Sequence, residues 1–123
     1  MAYLTHPIHD SHTICGEAGA EIQALTAVKF NADGKIVPAA AGDVVLGIAL
    51  ATTDGCKAGD TVHVQIKDGT IWMAGGEFAA GDLLAADANG KAVKAESGVA
   101  FGIALEAGKA GVPAQFYISR LKV

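Results

Sequence analysis

Long apolar runs, clustered positive charge, aromatics and paired cysteines are all scarce in this 123-residue chain. No stretch of 18 or more apolar residues occurs, which excludes a membrane-spanning helix. The nine basic residues are strung singly from Lys29 to Lys122, no two adjacent, and the formal net charge is −4. Nucleic-acid binders draw much of their affinity from Lys and Arg gathered into a patch, so neither DNA nor RNA is expected as a partner. The missing patch argues equally against a membrane surface. Met1 to Pro7 has neither the basic start nor the apolar stretch of a secretory signal, so synthesis in a cytoplasm is expected. Cys15 and Cys56 show no CxxC spacing and read as two reduced thiols.

Alanine and glycine are what the chain has in excess: 25 Ala and 16 Gly, one residue in three. Glycine interrupts nearly every segment that alanine would make helical. The strand signals are clearer. Thr61 to Lys67 alternates strictly, with Val62, Val64 and Ile66 on one face. Asp43 to Leu50 is a short apolar run of the kind found in a strand buried on both sides. Ala114 to Val123 carries the strand formers Phe116, Tyr117 and Ile118. Asp33-Gly34, Asp54-Gly55, Asp68-Gly69 and Asn89-Gly90 supply tight-turn chemistry between such runs. Their aspartates, with Asp60 and Asp82, read as turn formers rather than acid–base groups.

The second half repeats the first. Asn31-Ala32-Asp33-Gly34-Lys35 answers to Asp87-Ala88-Asn89-Gly90-Lys91, and Gly47-Ile48-Ala49-Leu50 recurs identically as Gly102-Ile103-Ala104-Leu105. Ala58-Gly59 before Val62 to Ile66 matches Ala110-Gly111 before Ala114 to Ile118. The fold expected is all-β: a compact barrel or sandwich of two similar repeats, about 20–69 and 76–123, in a single domain over 17–123. Ala20 to Asp33 has no clean period, but its counterpart contains Gly81-Asp82, so both copies read as β. Residues 1–16 belong to neither copy and read as an extended N-terminal arm. Pro113 suggests a frayed or edge strand near the C-terminus.

The arm holds the one chemical cluster. His6, His9, Asp10, His12 and Cys15 are all metal-ligating types, and His6, His9, His12 and Cys15 are the candidate ligands. Their spacing matches no zinc pattern, and the competing reading is a polar arm that touches a partner or water. His9-Asp10-Ser11-His12 contains the residue types of a hydrolase triad, but triad members converge from separate elements, and no GxSxG elbow is present. Neither a catalytic residue nor a cofactor is therefore expected. Trp72, the single tryptophan, lies with Ile71 and Met73; it reads either as core or as an interface anchor.

The motif order resembles a known family. Ala32-Asp33-Gly34-Lys35 through Pro38-Ala39, Ala41-Gly42-Asp43 through Leu50, and Ala58-Gly59-Asp60-Thr61-Val62-His63-Val64 are similar to the small capsid cement, or head decoration, proteins of tailed phages. The second copy carries the resemblance again in Ala80 to Leu84, Asn89-Gly90-Lys91 and Gly98 to Leu105, so it spans about residues 17–123. It implies a non-enzymatic protein on the outer surface of an icosahedral shell, stabilising it against internal DNA pressure, with the major capsid protein as partner and a homotrimer as the assembly. Contact candidates are then Tyr3, Leu4, His6, Pro7, Ile8 and His9 of the arm, which could add a strand to a capsid sheet edge, and Trp72. The alternative is a small cellular β-barrel module for a carbohydrate or protein ligand. Seven aromatics leave few to spare for a carbohydrate platform, and the Met-Lys-Met hairpin of a biotinyl domain is missing.

Overall fold

A computed structural model describes residues 12–50 and 55–123, and these form an all-β body. Five strands come from the first half: β1 (Thr13–Glu17), β2 (Ala27–Phe30), β3 (Ile36–Pro38), β4 (Gly47–Ala49) and β5 (Thr61–Gln65). Five more come from the second: β6 (Gly69–Met73), β7 (Leu83–Ala86), β8 (Ala92–Lys94), β9 (Val99–Ala104) and β10 (Pro113–Lys122). Each half is one antiparallel sheet, in the order β1-β5-β4-β2-β3 and β6-β10-β9-β7-β8. Adding five to each label of the first sheet gives the second, so the sequence repeat is a repeat of topology. Ala18 bridges Ile36 in the first sheet and Ala74 bridges Ala92 in the second. Each sheet thereby curls until its edges meet, which leaves little unpaired backbone at the edges.

Local chemistry explains the turns. In Ala40–Asp43, Lys57–Asp60 and Ala79–Asp82 the aspartate Oδ2 accepts the N–H three residues back, at 2.8, 2.9 and 2.9 Å. The recurring Ala-Gly-Asp is thus a self-closing turn. Gly81 holds φ +90° in one of these, and its first-repeat counterpart is Leu25, which accepts a left-handed φ of 59°. The longer hairpins are also matched. Asn31 Oδ1 takes the N–H groups of Asp33 and Lys35, and Asp87 Oδ1 takes those of Asn89 and Lys91. At Asp68-Gly69 it is Asp68, not the glycine, that takes the positive φ, at 67°.

Each sheet wraps its own core. Ala18, Ile22, Val28, Ile36, Ala49, Cys56, Val62 and Val64 fill the first. The matching positions Ala74, Phe78, Leu84, Ala92, Ala104, Ala114 and Phe116 belong to the second, joined by Trp72 and Phe101. Bulk is redistributed between the copies. Ile22 bridges Cys56 in the first, whereas Phe78 bridges Gly108 in the second, and a Cβ on Gly108 would collide with the Phe78 ring. Likewise Gly16 leaves room for Ile36, whose Cδ1 would lie 2.9 Å from a Cβ there; in the second copy the large member is Trp72 and the small one Ala92.

Three expectations are corrected. The repeat starts earlier than residue 20, because Thr13–Glu17 pairs with β5 along its whole length. Residues 13–16 are therefore sheet, not arm; residues 1–11 of the expected arm lie outside the described residues. The run Asp43–Leu50 yields only the three-residue β4, and Val44 is 86% exposed. Pro113 does not mark an edge: β10 is the longest strand and lies between β6 and β9, with the proline as its first residue, where no ladder N–H is required.

Transplanting one first-copy pair tests the exchange of bulk. Gly108→Cys alone should lower stability in urea unfolding by about 1–3 kcal/mol through overpacking. Combining it with Phe78→Ile should recover much of that loss. Effects that merely add would contradict the exchange.

Candidate functional site

The described part of the arm is anchored, not free. His12 accepts the Ile66 N–H through its carbonyl at 2.9 Å, and its Nδ1 is paired with the Asp68 carboxylate. Cys15 lies on the exposed side of β1 directly across from His63 on β5. Cys15 and Cys56 are both free thiols, and Cys56 is buried. Among the described residues no group of three or more His, Cys, Asp or Glu side chains could hold a metal ion. Tyr3, Leu4, His6, Pro7, Ile8 and His9 lie outside the described residues. Trp72 is not available as a surface anchor. It has no exposed area, packs against Phe101 and Phe116 at ring separations of 5.7 and 5.0 Å, and donates its Nε1–H to the Gly90 carbonyl at 2.9 Å. Its alternation partner on β6, Ile71, is the exposed one, at 41%.

A groove of about 610 Å³ runs between the Ala40–Val45 turn of the first repeat and the Val93–Phe101 segment of the second. Val44 and Val99 stand exposed at its rim. Arg120 closes one side: Nη1 donates to the Val45 carbonyl at 2.7 Å, Nη2 to that of Leu46 at 3.3 Å, and the guanidinium lies 4.9 Å from the Phe101 ring centroid. Asp43, on the first repeat's side of the groove, carries a perturbed carboxyl. Lys29 Nζ donates to its Oδ2 at 2.8 Å, and the Ala40 N–H reaches the same oxygen. These two hydrogen bonds, the lysine's first, hold the carboxyl below its ordinary value of 3.8, with desolvation working weakly against them. The sequence had indicated Asp43 only as the start of an apolar run and as part of the family motif; Lys29, fourteen positions earlier, gave no signal.

Residues 51–117, more than half of the chain, match the sequence profile of the phage cement proteins. The chain belongs to that family. Membership makes it a structural protein associated with the phage head. The crystal structure of the head fiber gp8.5 N base in bacteriophage phi29 shares the fold, with a TM-score of 0.74 over 90% of this chain and 96% of that one, at 23% sequence identity. No curated protein matches the chain in sequence.

The Lys29–Asp43 pair sets a pH signature. A carboxyl held below its unfolded value of about 3.9 stabilises the fold above that value and loses the contribution as pH falls through the folded value. The stability gap between wild type and Asp43→Asn should therefore be widest near neutrality and close under acid. In NMR titrations Lys29→Met should move the Asp43 carboxyl upward; an unmoved titration would show that the lysine is not the cause.

Proposed function

We propose that the chain is a non-enzymatic, cofactor-free cement protein, made in the bacterial host cytoplasm, that binds the outer surface of an icosahedral phage head as a homotrimer. Its partner is the major capsid protein, and its task is to hold the joints between capsid subunits against the outward pressure of packaged DNA. The family match carries this reading. The architecture supports it. Two curled sheets with short turns make a stiff body, and a stiff body resists displacement of the subunits it bridges. The segment Tyr3 to His9 precedes the sheet and supplies reach toward neighbouring capsid chains, by adding a strand to a capsid sheet edge.

Because β1 begins at Thr13 and His12 is tied to Ile66 and Asp68, the clean truncation removes residues 2–11 only. Co-sedimentation with empty heads should show the full chain bound and the truncated chain folded but left in the supernatant. Unchanged binding of the truncated form would overturn the role of the arm. Failure of the full chain to bind would overturn the cement reading.

A further inference from the structure

The two sheets carry the same outward-facing row, and among the described residues only the first of the two rows is fully covered. In the first sheet the row is Ala27, Ile48 and Gln65, paired in register across β2, β4 and β5. In the second it is Leu83, Ile103 and Tyr117, paired across β7, β9 and β10. Ala27 and Ile48 have no exposed area, because the second repeat lies on them: the Ala27 N–H donates to the Gly90 carbonyl at 2.7 Å, and both side chains join the second repeat's core. Leu83 and Ile103 are only partly buried, and Tyr117 is 47% exposed. A solvent-facing row is expected to be polar. Here it is larger and no more polar than its covered counterpart: Leu for Ala, Ile kept, and Tyr for Gln.

The element that covers the first row also has a free copy. Gly90 belongs to the hairpin Asp87–Lys91, and its counterpart Asn31–Lys35 is built by the same side-chain-to-backbone bonds. Gly90 is buried against the first sheet, whereas Gly34 is exposed. We propose that the Leu83–Ile103–Tyr117 face binds a second copy of this chain through that copy's Asn31–Lys35 hairpin, repeating between chains the contact that joins the two repeats within one. The inference rests on the homo-oligomer part of the proposed function and names its interface. Such a contact is heterologous, head to tail, and makes a closed ring when its rotation closes. A trimer closed in this way holds six similar sheets around its axis.

Sedimentation of the purified chain, without heads, tests the interface. Tyr117→Lys puts a charge on the receiving face. Ala32→Glu alters the hairpin: its counterpart Ala88 lines one cleft with Glu21, Thr26 and Pro38, so in a docked copy Ala32 would line a cleft with Glu77, Asp82 and Lys94. Wild type should sediment as an oligomer and each variant as a monomer. An equimolar mixture of the two variants should give a heterodimer, because one intact face and one intact hairpin remain between them. Val44→Lys, which removes an exposed apolar side chain away from the row, should leave the oligomer intact. A monomeric wild type would overturn the inference together with the trimer, while leaving head binding to its own test. An oligomer that survives Tyr117→Lys, or a mixture of variants that stays monomeric, would overturn the interface alone.

Discussion

One carbonyl oxygen sits at the junction of the two halves and takes a hydrogen bond from each. That of Gly90 accepts the Ala27 N–H from the first sheet and the Trp72 indole N–H from the second, at 2.7 and 2.9 Å. Both donors are buried and would be costly to leave unpaired. The approach that makes this possible requires a glycine: a Cβ at Gly90 would lie 3.0 and 3.1 Å from the Ala27 and Ala39 carbonyls. Around this junction sit the three-ring cluster of Trp72, Phe101 and Phe116 and the Arg120 guanidinium that reaches back to the first repeat. The polar and apolar parts of the junction depend on the same close approach.

Much of the architecture was legible because its signals are local. Asn31 and Asp87 open matched hairpins, Asp60 and Asp82 close turns of the same Ala-Gly-Asp kind, and Val62 and Val64 alternate with polar neighbours; each of these is written within a few residues. The first strand was not legible as part of the repeat. Thr13–Glu17 shares no identical position with Gly69–Met73, since the two copies exchange bulk there, glycine at 16 against tryptophan at 72. The signal lay just downstream, where Ala18-Gly19 and Glu21 recur as Ala74-Gly75 and Glu77. The fate of Trp72 could not be read from its own neighbours, because it is decided by Phe101, Phe116 and the Gly90 carbonyl. The Lys29–Asp43 pair is hidden for the same reason: strand curling, not sequence spacing, brings it together.

The alanine- and glycine-rich composition now has a physical reading. Two sheets of five short strands, curled tightly enough for their edges to meet, have interiors with room for few large side chains, so alanine fills matched core positions such as Ala18 and Ala74 or Ala49 and Ala104. Such a body has much surface for its size. Membership of the phage cement family is in keeping with that economy: the chemistry is that of shape and contact, repeated twice in one chain.

A cement role requires the bound protein to strengthen a head under load. DNA-filled heads heated with and without the bound protein, with DNA release followed by an intercalating dye, check this. Saturated heads should retain their DNA to a higher temperature than bare ones. Release at the same temperature in both, with binding verified on the same particles, would contradict it.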